Sequence, residues 1–190
     1  VANQISDYVN AAVAAGLRRV EVASFVDPRR VPQMADAEAV LQVLPVQAGV
    51  QYVGLVLNRK GFERAAAAGC SEIGMAVMAS ETFSQRNQGM SVREALGVVQ
   101  AIRTRAATDG IRMTVTISAA FGCPFEGEVP LDVLADVAAR AADPDAKGDP
   151  YRIFKGTGIV VKGQQPGGGV PPSPAVPPGG GGVVLNFEGA

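Results

Sequence analysis

Glu21, Ser24, Asp27, Arg29, Arg30 and Gln33 crowd one short stretch, EVASFVDPRRVPQMAD at 21–36. An apolar alternation over Val20–Phe25 runs there into a polar turn. That is how an α/β enzyme delivers side chains from a strand's carboxyl end into a site. Glu21 lies inside the strand, where a carboxylate is costly unless paired. Flanked by Val20 and Val22, it falls on the face opposite those valines. A barrel would hold it inside, paired or with a raised pKa. Arg29 and Arg30 offer guanidinium groups to a phosphate or form a solvated loop. Histidine is missing altogether: the 190-residue chain has none, which removes the commonest acid–base and metal-binding side chain.

Polar residues recur where other strand candidates end. Tyr52–Leu57 ends at Asn58, Ile73–Met78 leads into Ser80 and Glu81, and Met113–Ile117 leads to Ser118. Polar exits in register mark the active rim of a barrel, although Asn58 and Ser118 are also suited to capping helices. Helices must alternate with these strands. Ile5, Tyr8, Val9, Ala12, Val13 and Leu17 recur at helical spacing, with Gly16 as a stop. Ser91 and Glu94 form a capping box ahead of Val92, Leu96, Val99, Ile102 and Ala106. Pro130 opens a helix through Leu131, Leu134, Val137 and Ala141. "AAG" precedes a strand twice, at 14–16 and 67–69, as a recurring turn. Strands alternating with helices predict a parallel sheet.

Composition narrows the partners. Lys+Arg 17 against Asp+Glu 18 leaves a net charge of -1, with no basic excess for nucleic acid and no acidic tail. No apolar run reaches the roughly 18 residues of a membrane span, and no basic-then-apolar leader opens the chain. Cys70 and Cys123 stand far apart in no metal-ligand spacing, so they read as free thiols of a reducing compartment. A soluble cytoplasmic protein is the expectation, and a start at Val1 suits a fragment.

The character changes at Pro144. Residues 151–161 can still hold a strand, but 163–182 reads GQQPGGGVPPSPAVPPGGGG, too rich in proline and glycine for a helix or central strand. The expected organisation is a partial barrel over 1–143, a degraded strand unit over 144–162 and a low-complexity tail over 163–190. Val183–Phe187 is a last short apolar stretch in that mostly disordered tail.

EVASFVDPRRVPQMAD resembles the early strand–loop segment of the 3-hydroxy-3-methylglutaryl-CoA lyase family. The resemblance continues through LVLNRKGFERAAAAG (55–69), ASETFSQRNQGMSVREAL (79–96) and ISAAFGCPFEGEV (117–129). It implies an incomplete (β/α)8 TIM barrel of about four to five βα units, followed by a disordered Pro/Gly-rich C-terminal tail. It also implies a lyase that cleaves 3-hydroxy-3-methylglutaryl-CoA to acetyl-CoA and acetoacetate, in leucine degradation, with a divalent cation, Mg²⁺ or Mn²⁺. That chemistry needs a metal to polarise oxygens, a base for the hydroxyl proton and an acid for the departing enolate. The family's metal ligands are an aspartate after an arginine, a His-x-His pair and an asparagine. None has a counterpart here, so no metal ligand is assigned and the chain is expected to be inactive as it stands. FKGTGIVVKGQ (154–164) only loosely resembles the family's sixth-strand segment, with Gly156–Thr157 in place of an acidic–threonine pair.

By the same resemblance, Glu21 belongs to the supporting charge network. Ser24, Gln33, Asn58, Glu81, Asn87 and Ser118 match polar positions expected to bind substrate. Cys123 is not the family's catalytic-loop cysteine and reads as a small buried apolar residue; Met75 and Met78 read as core filling. The implied partner is a CoA thioester. An open barrel, with unpaired edges and uncovered apolar faces, predicts low stability or self-association into a homo-oligomer. A condensing barrel enzyme of the isopropylmalate or homocitrate synthase type and a non-catalytic remnant stay open, while the SFVDPRRVPQM and FGCPFEG wording favours the lyase.

Overall fold

The computed structural model describes residues 2–142 and two short strands at 159–161 and 183–187. Expectations for 143–158, 162–182 and 188–190 lie outside the described residues. Helix α1 (Ala2–Ala14) buries Val9 and Val13, one turn apart. Gly16 follows with a φ of +104°, a conformation open to glycine at little cost. Tyr8 and Leu17, read above as part of the apolar stripe, are exposed. Tyr8 is turned about 100° from Val9 on the helix, and Leu17 lies past its end.

Strand β1 (Arg19–Ser24) follows, then a 3₁₀ turn at Pro32–Met34 and helix α2 (Ala37–Val43). Next come β2 (Gln51–Leu55), α3 (Arg59–Ala67) and β3 (Glu72–Met78). Helices α4 (Glu81–Gln88) and α5 (Val92–Thr108) precede β4 (Arg112–Ser118), and α6 (Leu131–Ala142) follows it. Two short strands, β5 (Ile159–Val161) and β6 (Val183–Phe187), complete the described elements.

The sheet order is β1-β2-β3-β4-β6-β5. β1 pairs with β2 and β2 with β3 in parallel. The Arg112 amide donates to the Ser71 carbonyl at one end of β4, and Ala79 donates to Ser118 at the other. The two strands therefore advance together. Four parallel strands joined through helices are the architecture of an incomplete (β/α)8 barrel. β5 and β6 pair antiparallel beyond β4, so the apolar Val183–Phe187 stretch takes a strand's conformation.

The described chain forms two compact units. One takes in residues 2–76 and 97–114, the other 77–96 and 115–142 with β5 and most of β6. In the first, Val9 and Val13 of α1 and Val40 of α2 cluster with Val22, and the half-buried Val20 and Tyr52 pack beside them. The register of β1 slips between Glu21, opposite Val53, and Ala23, opposite Gly54. The extra residue is Val22, a bulge that re-aims the strand's last side chains. Met75 and Met78 are buried, as core filling requires.

Candidate functional site

In the first unit the exit of β1 is built on Phe25. Its amide donates to the Leu55 carbonyl at 2.8 Å, and its ring lies against Gly54, where a Cβ would stand 2.8 Å from it. Ser24, the last residue of β1, has a buried hydroxyl with no hydrogen-bond partner among the described residues. Such an oxygen costs free energy until something pairs with it. Asp27 accepts from the Arg29 amide at 3.0 Å and from its guanidinium at 2.8 Å. Arg29's hydrogen bonds hold the Asp27 carboxyl far below the usual range. Arg29 is nearly fully exposed and already engaged with Asp27. Gln33 is exposed on the 3₁₀ turn.

Asn58 is the N-cap of α3: its side-chain oxygen accepts the Gly61 amide at 2.9 Å. Of the two roles open to it, capping is the one its side chain performs.

Glu21 departs from the expected burial, for the residue is exposed. Among the described residues β1 stands first in the sheet order, beside β2. The Glu21 carboxylate lies over Gly74, where a Cβ would stand 3.2 Å from its Oε2. Local desolvation holds the carboxyl above its ordinary value, against an opposing pull from Arg19.

The same unit holds a polar cluster that the sequence reading missed. Glu72 is buried at the start of β3, with 1% of its surface exposed. Its Oε1 accepts from Arg19 Nε at 2.7 Å, from Arg19 Nη2, and from the Thr114 hydroxyl at 3.0 Å. Oε2 has no partner among the described residues. Burial pushes the Glu72 carboxyl up, but the Arg19 hydrogen bonds and charge, with Thr114 and Arg112, outweigh it and leave it lowered. A charged residue opening a strand looks from sequence like part of a solvated turn, and Arg19 and Glu72 stand 53 positions apart.

In the second unit Ser80 caps α4, accepting the Phe83 amide at 3.2 Å, and meets the Cys123 sulfur at 2.9 Å. Cys123 is buried, as expected, but not as an apolar filler. Its sulfur also accepts the Phe125 amide at 3.3 Å. Burial raises its thiol pKa, yet these bonds together bring it below the ordinary value. Glu126 caps the Thr82 amide at 2.6 Å, and Glu81 Oε2 accepts the Val92 amide at 3.1 Å at the start of α5. The Arg86 guanidinium lies 4.2 Å from the Phe125 ring centroid.

Asn87 is exposed on the last turn of α4. Ser118 ends β4, half-buried and outside any helix cap, and Ala119 after it turns at a φ of 57°. Glu81, Glu126, Val92, Arg93, Val137 and Arg140 line a cleft of about 250 Å³.

Each predicted residue thus has its place within its own unit: Glu21, Ser24, Gln33 and Asn58 in the first, Glu81, Asn87 and Ser118 in the second. A divalent cation does not fit the described residues. No three of their carboxylates and thiols stand where they could hold a metal, and Mg²⁺ requires several oxygen ligands.

The HMGL-like family model matches residues 2–151. A hydroxymethylglutaryl-CoA lyase from Pseudomonas mevalonii is 43% identical over 125 residues, which are 66% of this chain and 42% of that protein. The crystal structure of an HMG-CoA lyase from Brucella melitensis superposes with a TM-score of 0.71 at 33% identity. It covers 74% of this chain and 50% of that one. An Acinetobacter baumannii HMG-CoA lyase, solved with coenzyme A and 3-methylmalate, superposes at 0.70 with 27% identity, covering 74% of this chain and 46% of that one. The chain spans half the length of these relatives or less.

Proposed function

From the premise that the chain belongs to the HMGL-like family, we propose that the whole protein is a carbon–carbon lyase. Its substrate is 3-hydroxy-3-methylglutaryl-CoA, and this chain supplies part of the binding wall. Its polar positions are Ser24, Gln33 and Asn58 in the first unit and Glu81, Asn87 and Ser118 in the second, Asn58 and Glu81 acting through the helix-start amides they hold, and Glu21 supports their charge balance. The observation that carries this reading is the Ser24 hydroxyl. It is buried at a strand exit with no partner among the described residues, inside one of the two blocks whose wording favours the lyase. A thioester substrate brings the carbonyl and hydroxyl oxygens that such a donor lacks.

Desolvation holds the Glu21 carboxyl above its ordinary value against the opposing pull of Arg19, which accords with a supporting place in that charge network. The divalent cation expected of the family does not fit the described residues, so no step is assigned to it. A cytoplasmic setting accords with the two free thiols, Cys70 and Cys123.

The test is a titration of the full chain with 3-hydroxy-3-methylglutaryl-CoA, with acetoacetate assayed in the presence of Mg²⁺ or Mn²⁺. The expected result is saturable thioester binding, weakened in Ser24→Ala, without product. Because Ser24→Ala removes an unpaired hydroxyl, that variant keeps or gains stability. A folded chain that ignores the thioester would overturn the wall. Metal-dependent acetoacetate would show that the chain itself holds the catalytic groups.

A further inference from the structure

We propose that Arg64 is a positioning residue that clamps the loop after β1, through the Val26 carbonyl, in the one conformation that presents Ser24 and Gln33. The proposal rests on the binding-wall reading above and adds a residue which that reading does not use. Arg64 lies on the last turn of α3 and makes three kinds of contact at once. Its Nε and Nη2 hold the two carboxylate oxygens of Glu38, on α2, at 2.7 and 2.9 Å. Its Nη1 donates to the Val26 carbonyl at 3.0 Å. Its guanidinium carbon stands 5.6 Å from the Phe25 ring centroid.

A planar fork satisfies all three together, which a lysine ammonium cannot do. The bidentate pair fixes the guanidinium's orientation, so the third contact is aimed rather than incidental. The neighbouring backbone removes the alternatives. A Cβ at Gly61 would stand 2.7 Å from the Phe25 carbonyl, and one at Gly54 would stand 2.8 Å from the Phe25 ring. Phe25 is thus seated against two glycines with the guanidinium beside its ring, and Ser24 and Val26 flank it in sequence. Beyond Val26 the loop holds itself by short-range bonds: the Arg30 and Val31 amides donate to Asp27, and Met34 donates to Val31. Those bonds shape the loop without tying it to the rest of the unit. Arg64 supplies that tie.

A merely structural role would confine Arg64 to joining α2 and α3 through Glu38. The reciprocal exchange Arg64→Glu/Glu38→Arg separates the two roles, because it restores an ion pair but leaves no donor for Val26. Amide hydrogen exchange of the full chain reads the loop at 26–36, thermal melting reads the unit, and a titration with 3-hydroxy-3-methylglutaryl-CoA reads presentation. In Arg64→Met, loop exchange should rise on the order of tenfold to a hundredfold, the equivalent of one charged hydrogen bond, and thioester affinity should fall. In the reciprocal variant melting should recover while loop exchange stays fast.

Recovery of loop protection along with melting would overturn the proposal, as would fast loop exchange with unchanged thioester affinity. Should the reciprocal variant not fold, Glu38→Gln serves instead. It weakens the pair but keeps the Val26 bond, so its loop must stay more protected than that of Arg64→Met; equal exchange would overturn the clamp. A wild-type chain that binds no thioester contradicts the binding-wall reading and the presenting role built on it. Loop exchange then still decides whether the tether to Val26 exists.

Discussion

Replacing Arg19 with methionine should reverse the sign with which Glu72 couples stability to pH. Glu72 is almost fully buried, and its paired oxygen takes both Arg19 contacts and the Thr114 hydroxyl. With Arg19 present, the folded carboxyl lies below its ordinary value of 4.5. Its stabilising contribution is therefore fully present above that value and is lost as pH falls through the lower, folded pKa. Methionine keeps part of the stem and leaves the carboxylate only the Thr114 hydroxyl and the charge of Arg112, the smallest of the lowering influences, so burial, the largest influence, raises the folded pKa. The contribution is then present below 4.5 and lost as pH rises through the raised value.

Breaking a buried pair costs about 3–5 kcal/mol. The Arg19 side chain is 38% exposed, so screening places this case near the lower end, about 3 kcal/mol at pH 7. The deficit should shrink toward pH 4. Urea unfolding followed by circular dichroism at the two pH values measures both numbers. An equal deficit at pH 4 and pH 7, or none at pH 7, would refute the reasoning.

Three further outcomes follow from the same geometry. Gly54→Ala places a Cβ 2.8 Å from the Phe25 ring and 2.9 Å from the Cys70 sulfur, and should cost about 1–3 kcal/mol of overpacking in urea unfolding. Gly74→Ala, which meets the movable end of Glu21 at 3.2 Å, should cost clearly less; the reverse order would contradict the packing. Cys123 is lowered by its hydrogen bonds while burial pushes Cys70 up to about 11. Iodoacetamide at pH 8 should therefore label Cys123 first by peptide mass spectrometry, and Ser80→Ala should slow it. Asn58→Ala should cost about 1 kcal/mol through loss of the α3 cap, and Asn58→Ser much less; equal losses would show that capping is not what Asn58 contributes.

The parts of the fold legible in sequence were those with a strong local signal. The runs at 20–25, 73–78 and 113–117 fall within a residue or so of β1, β3 and β4. The Ser91–Glu94 box closes as expected, with the Ser91 amide on Glu94 at 2.7 Å and the Glu94 amide on Ser91 at 3.2 Å. Helix α4 was not legible, because ETFSQRNQ carries almost no apolar stripe. Its ends are set instead by Ser80, by Glu126 brought in from 44 residues away, and by Gly89 at a φ of 73°. The strand-exit residues were legible by type and place, but not the work their side chains do. Asn58 and Glu81 both satisfy helix-start amides. Arg19–Glu72–Thr114 and Arg64–Glu38 were invisible because each joins residues far apart in sequence. A Cys123 sulfur that accepts hydrogen bonds cannot be read from a cysteine in a GCP turn.

The most direct test of the central claim is a hydrogen-exchange footprint of 3-hydroxy-3-methylglutaryl-CoA on the full chain. Amides sheltered by a bound thioester identify the surface it occupies without reference to turnover. The account predicts added protection after the strands' carboxyl ends in the first unit, at 24–36 and 56–60. The strand starts around Arg19, Gln51, Glu72 and Arg112 should stay unchanged. Protection confined to those strand starts, or none at saturating thioester, would contradict it.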